Sequence, residues 1–172
     1  CTFCSFYQDR EFACRTTEEF AKHCHGVREL LGEGVKLRRS IFLADGNALV
    51  LSRERLFPIM ETATATFPGM PVHGFVDVFS GERRTAAEWS ELRDLGLERV
   101  HVGLETGSDS LLAWLNKPGS AEESFGFVST LKEAGLKVAL IFMVGAGGWL
   151  YANEHRETTV ALAEQLPLQK GD

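Results

Sequence analysis

The sequence has 172 residues, of which 44% are apolar and 24% charged, with a formal net charge of −6 at neutral pH. That length and apolar content suit one domain with a real core and exclude a disordered chain, a collagen-like repeat or a small disulfide scaffold. The acidic balance argues against a broad phosphate-binding surface. No apolar run approaches the ~18 residues of a membrane span, the longest being residues 138–144.

Helix and strand patterns then alternate along the chain. Residues 1–14 show neither period and read as a loop. Thr16, followed by Glu18 and Glu19, opens a helix whose apolar stripe is Phe20, Cys24, Val27 and Leu31, ending at Gly32 and Gly34. Residues 40–43 form a short strand that breaks at Asp45-Gly46-Asn47, and Ser52 caps a second helix that stops before Pro68-Gly69. A strand over 72–79, a helix over 85–95 ending at Gly96 and a strand over 99–104 follow. Ser108 and Ser120 cap two helical pieces separated by Pro118-Gly119. A strand over 136–144 and a helix over 153–166 complete the pattern.

Strands apolar on both faces, alternating with helices, are the sequence form of a parallel sheet covered by helices. An open doubly wound sheet and a closed or partial barrel both satisfy it, and in both the chemistry sits where strands end. Asp45-Gly46-Asn47, Asp77, Glu105-Thr106-Gly107 and Gly145-Ala146-Gly147-Gly148 fall at those ends. Phe75, Phe79, Trp89 and Trp114 read as packing residues.

All four cysteines lie within the first 24 residues, which points to a reduced compartment and a metal site rather than a disulfide framework. Cys1-Thr2-Phe3-Cys4 is a C-x-x-C pair, a spacing shared by zinc knuckles, redox dithiols and iron–sulfur loops. Cys14, His23, Cys24 and His25 are available as further ligands. Cys24 shares its helix's apolar stripe, so Cys14 and Cys24 read as structural, and His23 and His25 as solvated.

The segment CTFCSFY, residues 1–7, resembles the second half of the radical S-adenosylmethionine signature C-x-x-x-C-x-Φ-C, with Phe3 at the aromatic position. The first signature cysteine is then expected four positions before Cys1, so the chain reads as a fragment. IFLADGNAL, residues 41–49, resembles the strand and turn that replace that superfamily's Gly-Gly-Glu motif. VHVGLETGSDSLL, residues 100–112, resembles the fourth-strand segment of its coproporphyrinogen dehydrogenase, methylthiotransferase and elongator-type branch. NKPGS, residues 116–120, falls where that branch carries a basic residue and a turn. FMVGAGG, residues 142–148, resembles the fifth-strand Gly-rich segment without its usual Pro and Glu.

The resemblance implies an α/β partial (β/α)6 TIM-like barrel, truncated at both ends, with residues 1–172 forming one incomplete core domain that is not stable alone. It implies that Cys1 and Cys4, with the third cysteine, hold a [4Fe-4S] cluster, and that S-adenosyl-L-methionine is cleaved reductively to a 5′-deoxyadenosyl radical. Asp45, Gly46 and Asn47 would meet the cosubstrate's ammonium group, Glu105 its ribose and Lys117 its carboxylate. Asp77 would touch the methionyl or ribose part, Phe3 backbone the adenine edge and Met143 the adenine ring. A flavodoxin- or ferredoxin-type electron donor is implied, with no membrane or nucleic-acid partner, in the cytoplasm. Two other readings stand beside it: a Rossmann-like nucleotide-binding domain built on residues 145–148, and a non-catalytic module with a C-x-x-C zinc site.

Overall fold

Four strands lie side by side in chain order: β1 (Ile41–Leu43), β2 (Val72–Asp77), β3 (Leu97–Glu105) and β4 (Lys137–Phe142). The computed structural model describes residues 2–5, 9, 11, 13–44, 46–79 and 83–172. All three strand pairings are parallel, so each connection must cross back over the sheet. Helices α2 (Arg53–Thr66), α3 (Ala86–Asp94) and the pair α4 (Asp109–Trp114) and α5 (Ala121–Glu133) make those crossings. Helix α1 (Thr17–Leu31) precedes β1, and α6 (Gly148–Gln165) follows β4. Among the described strands the order never reverses, so the switch point at which a Rossmann sheet binds its dinucleotide is absent from them.

The period-2 alternation of each strand divides the sheet into two faces. Val72 and Val76 of β2, Val100, Val102 and Leu104 of β3 and Val138 of β4 are buried with Leu56, Met60, Trp89, Leu92, Val128 and Leu131 of the helices. Gly74 belongs to this set, because a Cβ there would stand 2.9 Å from Leu49, whose side chain fills the space. The opposite set, including Phe42, Phe75, Asp77, His101 and Gly103, faces away from the helices.

Local chemistry sets the helix ends. Thr16 and Thr85 both form capping boxes, with Glu19 and Glu88 returning the bond to the cap backbone. Cys24 is buried on α1, and that burial pushes its thiol pKa up, while Cys14 is partly exposed and His23 and His25 are exposed. Two expectations need correction. Helix α6 begins at Gly148, five residues before the position read from periodicity. Gly145 and Gly147 turn the chain with positive φ, and Trp149 and Leu150 are exposed, so the first turn carries no apolar stripe. Of the four aromatics assigned to packing, only Trp89 is buried; Phe75, Phe79 and Trp114 are exposed.

One glycine decides how closely α6 approaches the sheet. A Cβ at Gly107 would lie 2.3 Å from the Thr158 carbonyl oxygen, a backbone atom that cannot swing aside. Gly107 N–H donates to Thr159 Oγ1 at 3.0 Å across the same contact. Gly107→Ala is expected to destabilise the fold by about 1–3 kcal/mol, the usual cost of overpacking. Gly126→Ala, in α5 with open space around it, is expected to stabilise by about 0.5–1 kcal/mol. Urea unfolding midpoints of the two variants check both signs.

Candidate functional site at the strand ends

Lys117 reaches the site through the end of α4. Asn116 adopts φ 52°, and its N–H donates to Ala113 O at 3.0 Å. Lys117 N–H donates to Leu112 O at 2.9 Å. These are the two bonds of a Schellman motif with Asn at the left-handed position and Lys just beyond it. The motif turns Lys117 inward, where its side chain is only 5% exposed. Its ammonium stands 3.2 Å from Asp77 Oδ1 at the end of β2 and 3.9 Å from Glu105 Oε1 at the end of β3, and lies 4.9 Å from the centre of the Phe79 ring.

Glu105 is placed by a distortion of β3. The β3–β4 register slips between Gly103 and Glu105, and Glu105 takes φ 65°, a left-handed conformation costly for a residue with a Cβ. Thr106 N–H donates to Leu104 O at 2.8 Å, closing a three-residue turn around Glu105. Met143 N–H donates to Glu105 O at 2.9 Å, holding the turn against the end of β4. Gly103 makes room: a Cβ there would stand 3.0 Å from Glu105 Oε1 and 3.4 Å from Asp77 Oδ1. The Glu105 side chain is 13% exposed, and its carboxylate accepts no hydrogen bond among the described residues. Burial raises its pKa above the ordinary value; the Lys117 ammonium pulls it back down, and Asp77 adds to the rise.

Asn47 joins the same rim, its Nδ2 donating to Asp77 Oδ2 at 3.4 Å, and the neighbouring Gly46 has φ 107°. The cysteine loop is tied to α4: Thr2 donates to Leu115 O from its N–H at 2.9 Å and its hydroxyl at 3.0 Å. Leu115 is two residues from Lys117, so the loop and the carboxylates share one end of the sheet. Cys4 is an exposed free thiol, and Phe3 is exposed. Cys1 and Asp45 lie outside the described residues. Met143 packs with Leu111, Leu115, Ala146 and Tyr151. Nearby in sequence, Arg83 bonds Glu123 and Arg84 bonds the Leu49 and Leu51 carbonyls.

A residue not singled out from the sequence braces this rim. His155 of α6 has Nε2 3.0 Å from Met143 O and Nδ1 2.8 Å from Thr106 Oγ1. The carbonyl requires the proton on Nε2; in the neutral ring Nδ1 then accepts from the Thr106 hydroxyl, which in turn accepts Ser108 N–H at 3.0 Å. One imidazole thus joins the residues following β3 and β4. Within Asn153-Glu154-His155-Arg156-Glu157 it reads as part of a solvated face, and only its long-range partners distinguish it.

The sequence matches the family described as the Radical SAM superfamily over residues 1–162. The fold is similar to the cobalamin-dependent S-adenosylmethionine radical enzyme OxsB with aqua-cobalamin bound (17% identity, TM-score 0.72, covering 100% of this chain and 26% of that one). It is also similar to coproporphyrinogen III oxidase HemN from Escherichia coli, described as a radical SAM enzyme (15%, TM-score 0.67, covering 97% and 39%). A third likeness is to methylornithine synthase PylB (18%, TM-score 0.68, covering 96% and 46%). The chain spans less than half the length of each of these structures, and at these identities the likeness is one of fold. No curated protein matched the sequence.

The raised pKa of Glu105 has a measurable sign. A carboxyl whose folded pKa exceeds its unfolded value favours folding when protonated, and that contribution is lost as pH rises above the ordinary carboxylate range near ~4.3. Glu105→Gln is therefore expected to be more stable than the parent at pH 7, with the difference shrinking as pH falls toward ~4. Thermal melts across that range check it.

Proposed function

The chain belongs to the radical SAM superfamily, and from that membership we propose that Asp77, Glu105 and Lys117 form the polar wall of its S-adenosylmethionine site. Members of the superfamily use a [4Fe-4S] cluster and S-adenosylmethionine, and OxsB has been solved with S-adenosylmethionine bound. When bound, the cluster supplies the electron that cleaves the cosubstrate reductively to a 5′-deoxyadenosyl radical.

The observation that carries this reading is the Glu105 carboxylate, largely buried yet accepting no hydrogen bond among the described residues. Burying a carboxylate is costly unless donors meet it, and vicinal ribose hydroxyls are donors of the right number and spacing. Asp77 and Glu105 against one Lys117 leave the wall with net charge −1, which suits the cationic sulfonium and ammonium of the cosubstrate. Asn47, held by Asp77, extends the wall toward the ammonium, which Gly46 and Asp45, the residues preceding it in sequence, would also meet. Lys117 stands between the two carboxylates and orients them. Its ammonium is already paired and nearly inaccessible, so the geometry favours this role over the open carboxylate receptor that the resemblance implies. Phe3 backbone would meet the adenine edge and Met143 the adenine ring.

One described thiol supports the cluster assignment. Cys4 presents a free, exposed thiol in a loop fastened beside the Lys117 segment, and Cys1 would be its partner ligand. As an enzyme of this superfamily the chain would draw its electron from a flavodoxin- or ferredoxin-type donor and act in the cytoplasm, as one incomplete core domain over residues 1–172. Among the described residues no helix is long and apolar enough to cross a membrane.

The full-length protein, reconstituted without air, is expected to be brown, with about four irons per chain. Cys4→Ala should lose the cluster, while Cys14→Ala and Cys24→Ala keep it. Glu105→Ala should leave iron unchanged and weaken S-adenosylmethionine binding by ~1–3 kcal/mol, the range for charge-assisted hydrogen bonds. Colour that survives loss of Cys4 would falsify the cluster assignment, and unchanged cosubstrate affinity in Glu105→Ala would remove the ribose assignment.

A further inference from the structure

Below the polar wall, on the same face of the sheet, three rings meet without a covering helix. Asp77 and Phe75 are two residues apart on β2, and Gly103 and His101 two apart on β3, so each pair points to one face, about 7 Å apart along the strand. Phe75 pairs in register with His101, which pairs with Ala139, and Gly103 pairs with Ile141. The Phe42 and Phe75 ring centres are 4.7 Å apart, and the His101 ring lies 5.0 Å from Phe42 and 5.6 Å from Phe75. Phe42, Phe75 and Ile141 remain 38%, 41% and 37% exposed, while Leu43, Gly74 and Val76, which alternate with the two rings, are buried. Ala139 carries the smallest side chain on this face beside Gly103, over which the Glu105 and Asp77 carboxylates stand.

The composition of this layer bears on what covers it. Barrel interiors that serve only as core are filled by layers of branched aliphatic side chains. Here two phenyl rings and an imidazole stand in their place, and His101 Nε2 is buried with no hydrogen-bond partner among the described residues. Burial, with neighbouring His73 and Arg99, lowers the His101 pKa below its ordinary value. Charge lies to either side: the polar wall above, and below it Arg99, paired in register with His73, and Glu98 bonded to His73 at 3.1 Å and Lys137 at 2.7 Å. An ionised group placed between would lose its hydration; an apolar ring would find edge and face contacts.

We propose that this layer, floored by Phe42, Phe75, His101, Ala139 and Ile141, binds an uncharged, ring-bearing portion of the substrate directly beneath the cosubstrate. The proposal rests on the assignment of Asp77, Glu105 and Lys117 to the S-adenosylmethionine site. The face is continuous with that site: Gly103 borders both, and no charged side chain on β2 or β3 separates them.

The test uses the full-length, cluster-loaded protein with S-adenosylmethionine present and the neutral probe N-phenyl-1-naphthylamine, whose fluorescence rises on desolvation. Ala139→Phe places a bulky ring on this layer and is expected to weaken probe binding at least tenfold, with cosubstrate affinity and melting temperature unchanged. Phe75→Ser, which removes one ring, is expected to weaken the probe at least fivefold and serves as the arbiter if Ala139→Phe does not fold. Equal probe affinity in parent and variants overturns the proposal. So does a parent that binds S-adenosylmethionine but no probe, because the face is then packed by other parts of the polypeptide. A parent that binds the probe at this face but not S-adenosylmethionine would instead remove the cosubstrate assignment and leave the apolar face standing.

Discussion

A lysine ammonium shut away from water costs several kcal/mol unless opposite charge stands close by, and Lys117 is shut away almost completely. Asp77 and Glu105 supply that charge from the ends of two adjacent strands, and the Phe79 ring adds its quadrupole. The dependence runs both ways. Without the cation, two carboxylates would repel each other across one pocket. The polar wall therefore exists as a unit: the Schellman turn that aims Lys117, the register slip that aims Glu105 and the bare Gly103 between them each serve one electrostatic arrangement.

The distorted end of β3 is the second constraint. Glu105 is held in a left-handed conformation, and such strain persists only where the surroundings over-determine it. Met143 N–H fixes the Glu105 carbonyl, the Leu104 carbonyl takes Thr106 N–H, and His155 ties Thr106 to Met143 O from α6. Helix α6 can approach that closely because Gly107 has no side chain to strike the Thr158 carbonyl. Thus a helix whose own sequence looks like a solvated surface fixes the geometry of the site.

What the sequence made legible follows from what is local. The order of strands and helices, the Thr16 and Thr85 caps and the clustering of Asp77 and Glu105 at strand ends all arise from period and spacing, and the structure contains them. The start of α6 was hidden because its first turn points Trp149 and Leu150 outward. Lys117 was flagged by resemblance alone: a lysine just past a short helix reads as surface, and its burial comes from two strands 12 and 40 residues away in sequence. His155 was hidden among charged neighbours for the same reason. The exposed face of Phe42, Phe75 and His101 was concealed because strands apolar on both faces give no sign of which face the helices cover.

The central claim is that the buried Lys117 ammonium holds the polar wall in the form that binds S-adenosylmethionine. Equilibrium affinity for S-adenosylmethionine in Lys117→Met, at iron content equal to the parent, tests it most directly. The expected result is a loss of at least tenfold, about 1.4 kcal/mol, with the cluster intact. An affinity equal to the parent would contradict the claim, since a wall that binds without its cation does not depend on the pairing described.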